Sequence, residues 1–472
     1  MQSNLLFALF KSLNKKELRE LKRFVRSPFH NKREDVIALC DCLTRHWPFP
    51  DPDKLTKEYV YRHIHPDRPF DRKHFYYVCS FLKKLIEDYL LYRQLRDKPV
   101  ARQLQLARVY RYKGLSRHFT ESAQTVEKLQ DKARLRNAEY HFQRYRLHHE
   151  KFQLASSRNR TDASDLQQAT DHLDLFYRSE QLRLNYLALG IRSMANFEFN
   201  EGALSQSLAY IEQKGFQQAI PAIEIYYHYY QVFSDKDGEV DLEQLKALVS
   251  QHDSAFSREE LREIYFMPIN FCIRQYNMGH RSYLREAFRL YQQGVQYGIF
   301  LDNNQQLSRF TYSNIIMIAL ALREFQWVEA FIHQYHPHLR QPYREHFYNF
   351  NIANFYFQQN DYPKATHLLQ QVEFEDPYYQ LETRRMLLKI YYVQGENTAL
   401  FSLLESFQRY IYRQKGLGKD HVERFHNLIR FTHRLLGLPT ATAATRERLQ
   451  TEIEATPKVA DKKWLLEQLV KA

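Results

Sequence analysis

At 472 residues the chain has room for about three ordinary domains, and it carries a formal net charge of +13. Only 12 residues are glycine, well under the usual share of about 7%. Positions of φ > 0, which tight β-turns and phosphate-cradling loops need, are therefore scarce, and this argues against β-rich folds and nucleotide-binding α/β folds together. The 34 tyrosines and 33 phenylalanines supply bulk to fill gaps between packed helices instead, each burying about 150–250 Å².

The charge is unevenly placed. Residues 1–160 hold 35 Lys/Arg and 18 Asp/Glu, a balance of +17, whereas residues 161–472 hold 33 and 37, a balance of −4. A basic N-terminal third suits an acidic partner or nucleic acid, or is simply a well-solvated surface. No apolar run approaches the roughly 20 residues that span a bilayer, and the best, Ile315 to Leu322, is far too short. Met1 to Phe10 has no basic leader and is expected to be the first helix rather than a signal peptide. Cys40, Cys42, Cys79 and Cys272 form no C-x-x-C pair and no disulfide framework, so a reducing cytoplasm is the expected location.

In chain order, Leu18, Leu21, Phe24 and Val25 predict a helix capped by Asn14 and ending before Ser27-Pro28. A second helix is expected from about Arg33 to His46. Trp47 to Pro52, with three prolines, cannot continue it, and a short helix follows from Thr56. From about Asp71 the stripe Phe75, Val78, Leu82, Leu85, Tyr89 and Tyr92 predicts a long helix with a coiled-coil-like seam. Two basic helical segments follow, around 100–112 and 118–153. The polar run Ser156 to Asp162 marks the main boundary. Beyond it, helices of about 12–18 residues alternate with short turns. The last segment, from Thr456-Pro457, carries Trp464, Leu465, Leu466 and Leu469 and is expected to close the array as a capping helix.

Small residues recur in the C-terminal part. Ala353, Tyr356, Asn360, Tyr362, Ala365, Leu369, Val372 and Pro377 form one unit. Ala321, Trp327 and Ala330 stand one unit earlier, and Leu388, Tyr391, Gly395, Leu404 and Phe407 one unit later. A degenerate unit runs from Met278-Gly279 to Ala287 and Tyr291. Ala287, Ala330, Ala365 and Ala399 are 43, 35 and 34 residues apart. This pattern resembles the tetratricopeptide superfamily, whose repeat of about 34 residues is one helical hairpin that stacks on its neighbours. The resemblance implies an all-α fold, a right-handed α-solenoid preceded by a basic helical domain. The expected divisions are 1–160, 161–455 and 456–472. The whole chain also resembles a group of uncharacterised bacterial helical-repeat proteins, through Lys11 to Glu17 near the start and Lys463 to Glu467 near the end. Leu55 to Glu58, Pro66 and Phe81 to Leu85 resemble the helical half of a winged-helix domain, in which a β-wing would follow the long helix.

Asp235 to Asp241 is not an EF-hand loop, because its Gly stands fourth instead of sixth and Lys246 replaces the bidentate glutamate. Gly416-Leu417-Gly418-Lys419 lacks P-loop spacing. His333, His336, His338 and His346 form one histidine group, and His141, His148 and His149 with Glu150 another. Neither has an H-E-x-x-H frame or a cysteine partner, so solvated histidines are expected and no cofactor or metal. No catalytic constellation can be inferred, and the chain is expected not to be an enzyme. In tetratricopeptide repeats the first helix of each pair lines the concave face. That placement brings Asn351 and Asn354, and then Arg385 and Lys389, to one groove, with Tyr348 and Tyr392 beside them. Such amides and cations suit an extended or acidic peptide. The expected function is a protein–protein interaction scaffold. The alternative is a nucleic-acid-binding regulator that uses residues 1–160.

Overall fold

The computed structural model describes residues 5–49, 55–192, 198–234, 242–302, 304–341, 343–374, 376–414, 418–437 and 442–471. Among these residues there are 23 α-helices and no β-strand, only isolated bridges pairing Leu307 with Leu301 and Leu339. No described helix is long and apolar enough to cross a membrane. The chain divides into two compact units, residues 1–133 with 143–171, and residues 134–142 with 172–472.

The first unit opens with α1 (Leu5–Ser12), α2 (Lys15–Val25), α3 (Glu34–Arg45), α4 (Lys57–Ile64) and α5 (Arg72–Arg96). Asn14 caps α2 as expected: its side chain accepts from the Lys16 and Glu17 amides, and Glu17 accepts from the Asn14 amide in return. The predicted stripes of α2 and α5 meet in one core with Phe10, Val36 and Leu39, in which Leu21, Phe75, Val78 and Leu82 are almost wholly buried. The α5 seam stops at Tyr89, and Tyr92 is 57% exposed. Past that point α5 is tied to α2 by polar contacts instead, Arg93 to Glu17 and Arg96 to Glu20. No wing follows α5, because α6 (Pro99–Tyr112) begins three residues after it ends. The basic segment expected over 118–153 is two helices, α7 (Ser116–Lys132) and α8 (Ala138–Arg158). Asn137 starts the second by accepting from the Tyr140 amide. Leu104, Ala107, Phe119, Val126 and Leu147 form a second small core.

The polar run at 156–162 includes the turn between α8 and α9 (Leu166–Arg192), held by the Asn159 and Asp162 side chains. The division between units falls inside α9, at Asp171, because the residues just before α9 stay with the first unit, where Asp165 bonds His148 at 2.7 Å.

The second unit continues through α10 (Leu204–Lys214), α11 (Pro221–Ser234), α12 (Leu242–His252), α13 (Arg258–Asn277) and α14 (Ser282–Gln296). Three close pairs follow: α15 (Arg309–Ala321) with α16 (Phe325–Tyr335), α17 (Arg344–Gln358) with α18 (Tyr362–Leu369), and α19 (Pro377–Gln394) with α20 (Asn397–Arg413). Gly279, Arg323, Asn360 and Gly395 each stand at a left-handed turn, with φ of 106°, 61°, 63° and 73°. The next residue's amide then donates to the carbonyl five residues back: His280 to Gln275, Glu324 to Ala319, Asp361 to Tyr356 and Glu396 to Tyr391.

Counted from that turn, the same places are buried in every pair. Seven residues before it stand Cys272, Ile316, Ala353 and Leu388. Five after it stand Leu284, Val328, Ala365 and Leu400. This corrects the alanine alignment, since Ala321 and Ala330 are exposed. The buried position tolerates side chains from Ala to Leu, so residue size alone misplaces the register by a few residues.

The chain ends with α21 (Lys419–Leu436), α22 (Ala443–Ala455) and α23 (Lys462–Lys471). Helix α23 starts later than Thr456-Pro457 suggested, because α21 ties down the connecting segment. Asn427 donates to the Lys458 carbonyl, and the Ala460 amide donates to the Arg424 carbonyl. Leu465 and Leu469 of α23 then bury against Leu388, Phe407 and Leu428. The segments 235–241 and 415–417, with the EF-hand-like loop and Gly416-Leu417, lie outside the described residues.

Candidate functional site

Helix α17 packs against both α15 and α19, so the first helices of three successive pairs lie side by side. Their common face carries a groove of about 110 Å³. Leu320 and Phe350 make its apolar floor, Met317 and Tyr378 its half-open rim, and Asn354 and Arg385 its polar part. The Asn354 amide oxygen has no hydrogen-bond partner. A buried acceptor in this state costs about 1–3 kcal/mol until a donor reaches it.

Of the six residues expected to bind a partner, Asn354 and Arg385 line this groove. Asn351 does not: it is fully buried, and its amide donates to Ser313 Oγ at 3.0 Å and to the Phe347 carbonyl at 2.7 Å. Residues three apart share a helix face, but at Asn351 that face is covered by α15, whose Ser313 takes up its amide. Tyr348 turns toward α16, with its hydroxyl 3.2 Å from His333 Nδ1 and its ring 4.4 Å from that of His336.

Arg385 and Lys389 are not free for a ligand's carboxylate. Arg385 donates to Asp461 Oδ2 at 2.8 Å and to Glu382 at 2.8 Å, and Lys389 donates to Asp461 Oδ1 at 3.0 Å. Burial opposes the charge on Arg385, but Glu382 and Asp461 outweigh it and push the guanidinium pKa up. Burial wins at Lys389 and holds its ammonium below the usual lysine range, despite Asp461. Burial would raise the Asp461 carboxyl, yet the two cations hold it below the usual carboxylate range. Trp464, three residues on, closes over this clasp. Its ring lies 5.5 Å from Lys389 Nζ and meets Tyr392 edge-on at 5.3 Å. Lys389 and Tyr392 are thus covered by the chain's own C-terminal segment. No local pattern pointed to Asp461, which is 76 residues from Arg385. Its φ of 51° reflects a tight turn into α23 that only the folded chain shows.

A second, shallow cleft of about 440 Å³ lies between α19 and α20 and is rich in arginine. Arg384 lies over the Tyr410 ring at 4.3 Å and donates to the Gln380 carbonyl at 3.2 Å. Burial holds its pKa below the usual arginine range. The histidines singled out by sequence do not converge. His336 bonds Glu345, His338 the Gln305 carbonyl, His346 the Glu373 amide, and His148 Asp165.

No family model matches the chain. No curated protein and no solved structure matches it either. Geometry alone therefore ranks the surfaces, and among the described residues the groove on α15, α17 and α19 joins apolar floor, open rim and unpaired acceptor.

Proposed function

We propose that this chain is a protein–protein interaction scaffold. In this reading its helix pairs stack as a right-handed, tetratricopeptide-like solenoid, and the first helices of the pairs receive a partner. Two features support the stacking: the left-handed turn that recurs at Gly279, Arg323, Asn360 and Gly395, and the burial that repeats in register with it. The observation that carries the function is the groove itself, where Leu320, Phe350 and Met317 flank the unpaired Asn354 oxygen.

This combination suits an extended peptide. Its apolar side chains would rest on the floor, and one backbone N–H would reach the Asn354 amide. An acidic terminus is not needed, because Asp461 and Glu382 already balance Arg385 and Lys389. A photo-crosslinking residue at Met317 or Tyr378, which are 37% and 38% exposed, tests the site against one at Tyr412 of α20, which is 78% exposed. Crosslinks to the same cellular protein from 317 and 378, but not from 412, are the expected result. Equal capture at all three positions, or capture at 412 alone, would remove the groove as the docking site.

A further inference from the structure

The first unit holds a side-chain cluster unrelated to the groove. Asp35 stands in the first turn of α3, His65 caps the C-terminal end of α4, and His74 lies in the first turn of α5. One ligand atom from each, a carboxylate oxygen and two imidazole nitrogens, lie within 4.8 Å of one another. Among the described residues this is the one group of three or more potential metal ligands that converges.

Three observations separate it from an ordinary ion pair. First, His74 Nε2 lies 3.7 Å from Asp35 Oδ2. That is too long for a hydrogen bond, but close to the spacing of two ligands that each sit about 2.0–2.1 Å from a tetrahedral ion. Second, His65 Nε2 is buried and has no hydrogen-bond partner. Buried polar atoms left unpaired in a native fold call for an explanation, and a bound ion is one of the few available. Third, the carboxylate is fixed in place. Arg33 donates to both oxygens of Asp35, at 3.0 and 2.6 Å, and the Val36 amide adds a bond at 2.8 Å. Outer-shell bonds of this kind orient a ligating carboxylate.

The surroundings decide which ion. The walls are apolar: Tyr61 and Phe75 are almost wholly buried, and the His65 and His74 rings stand 4.9 Å apart. Arg33 matches the charge of Asp35, and Arg68 lies close enough to His65 to act on it. Both guanidiniums oppose a cation, so the site offers little net negative charge. Hard ions such as Ca²⁺ and Mg²⁺, which need several anionic or carbonyl oxygens, gain little from it. Two imidazole nitrogens and one oxygen match the borderline transition metals. The His74 side chain is 29% exposed, which leaves a route in from solvent.

We propose that Asp35, His65 and His74 bind one divalent transition-metal ion of the zinc class, which ties the end of α4 to the starts of α3 and α5. Three protein ligands leave a fourth position for water or for a group from a partner. The sequence hid the site, because its ligands are 30 and 9 residues apart and follow no metal-binding spacing.

The test uses the full-length chain, stripped with a chelator and titrated with Co²⁺, whose visible absorption reports inner-shell nitrogen ligation. Zn²⁺ is then added as competitor, with Mg²⁺ as control. Wild-type protein should bind one equivalent and melt at a higher temperature with Zn²⁺ but not with Mg²⁺. His65→Ala and His74→Ala each remove a direct ligand and should weaken binding by at least the roughly 10–100-fold that loss of an outer-shell partner costs, and abolish the thermal shift, with the metal-free far-UV spectrum unchanged. Should either alanine variant fail to fold, His65→Asn and His74→Gln, which keep a polar side chain, take its place. No ligand-field absorption in the wild type, or undiminished binding in the folded double variant, would overturn the proposal.

Discussion

The clasp at Asp461 lends itself to a quantitative test, Asp461→Asn. Asparagine keeps the shape and tolerates the left-handed backbone at φ 51°, so the change isolates charge. It leaves Arg385 with Glu382 alone and removes the only carboxylate that Lys389 contacts among the described residues. Two contacts near 3 Å are each worth about 5 kcal/mol of gross attraction at an effective dielectric of about 20, and desolvation offsets most of that. Breaking a fully buried pair costs about 3–5 kcal/mol, and an exposed one about 0–1 kcal/mol. Here the three side chains are 21%, 14% and 18% exposed, which places the loss between the two limits, at about 2 kcal/mol. The pH dependence follows from the direction of the shift. Asp461 is held below the usual carboxylate range, so its contribution is present above the unfolded-state value of about 3.9 and is lost as pH falls through the lower folded value. Thermal and denaturant unfolding of the wild type and the variant should therefore differ at pH 7 and converge as the solution is acidified below about pH 4. A Lys389→Met change should be less damaging in the Asp461→Asn background than in the wild type. Equal stability at pH 7, or a gap that does not narrow in acid, would refute the account of the clasp.

Other outcomes follow from the same structure. Arg323 holds φ 61° at a turn where Gly279 and Gly395 serve elsewhere, so Arg323→Gly should raise the unfolding free energy by about 0.5–1 kcal/mol, read by denaturant titration. Arg384 is half-buried with no carboxylate in contact among the described residues, so Arg384→Met should be neutral or stabilising in a thermal melt. Burial pushes the Cys40, Cys79 and Cys272 thiols up to about 12. These thiols should resist alkylation in native buffer near pH 8 and react only after denaturation, as counted by mass spectrometry. Duplex DNA, if bound by the basic residues 1–160, should bind without sequence preference and release steeply with salt in a fluorescence titration, since α5 leads directly into α6 with no wing between them.

The elements that were legible in the sequence are those in which local chemistry and tertiary packing agree. The Asn14 cap, the stop before Pro28 and the α5 stripe as far as Tyr89 all rest on neighbours within a few residues. Tyr92 departs from the stripe because a stripe records what could be covered, and its ring meets the core only at the edge, beside Phe24, and stays 57% exposed. The alanine register failed for a related reason. In each helix pair the feature that repeats is a backbone turn, filled by Gly, Arg, Asn and Gly in succession. Gly and Asn advertise such a turn, but Arg323 does not, and glycine and asparagine also stand at many other kinds of turn.

The site divides along the same line. Asn354 and Arg385 could be placed on one face because helical spacing fixes direction, and both do reach the groove. Spacing says nothing about what a distant segment lays over that face. Asp461 meets Arg385 and Lys389 across 76 and 72 residues, and Asp35 meets His74 across 39. In both places a charge that looks free in sequence is matched in the fold, while an atom that looks ordinary, the Asn354 oxygen or the His65 nitrogen, is left without a partner. Arginine and lysine announce themselves in composition, but their long chains find carboxylates within the molecule. Short, buried acceptors cannot travel to a partner, so an unpaired one points more directly to a ligand than does a cluster of charge.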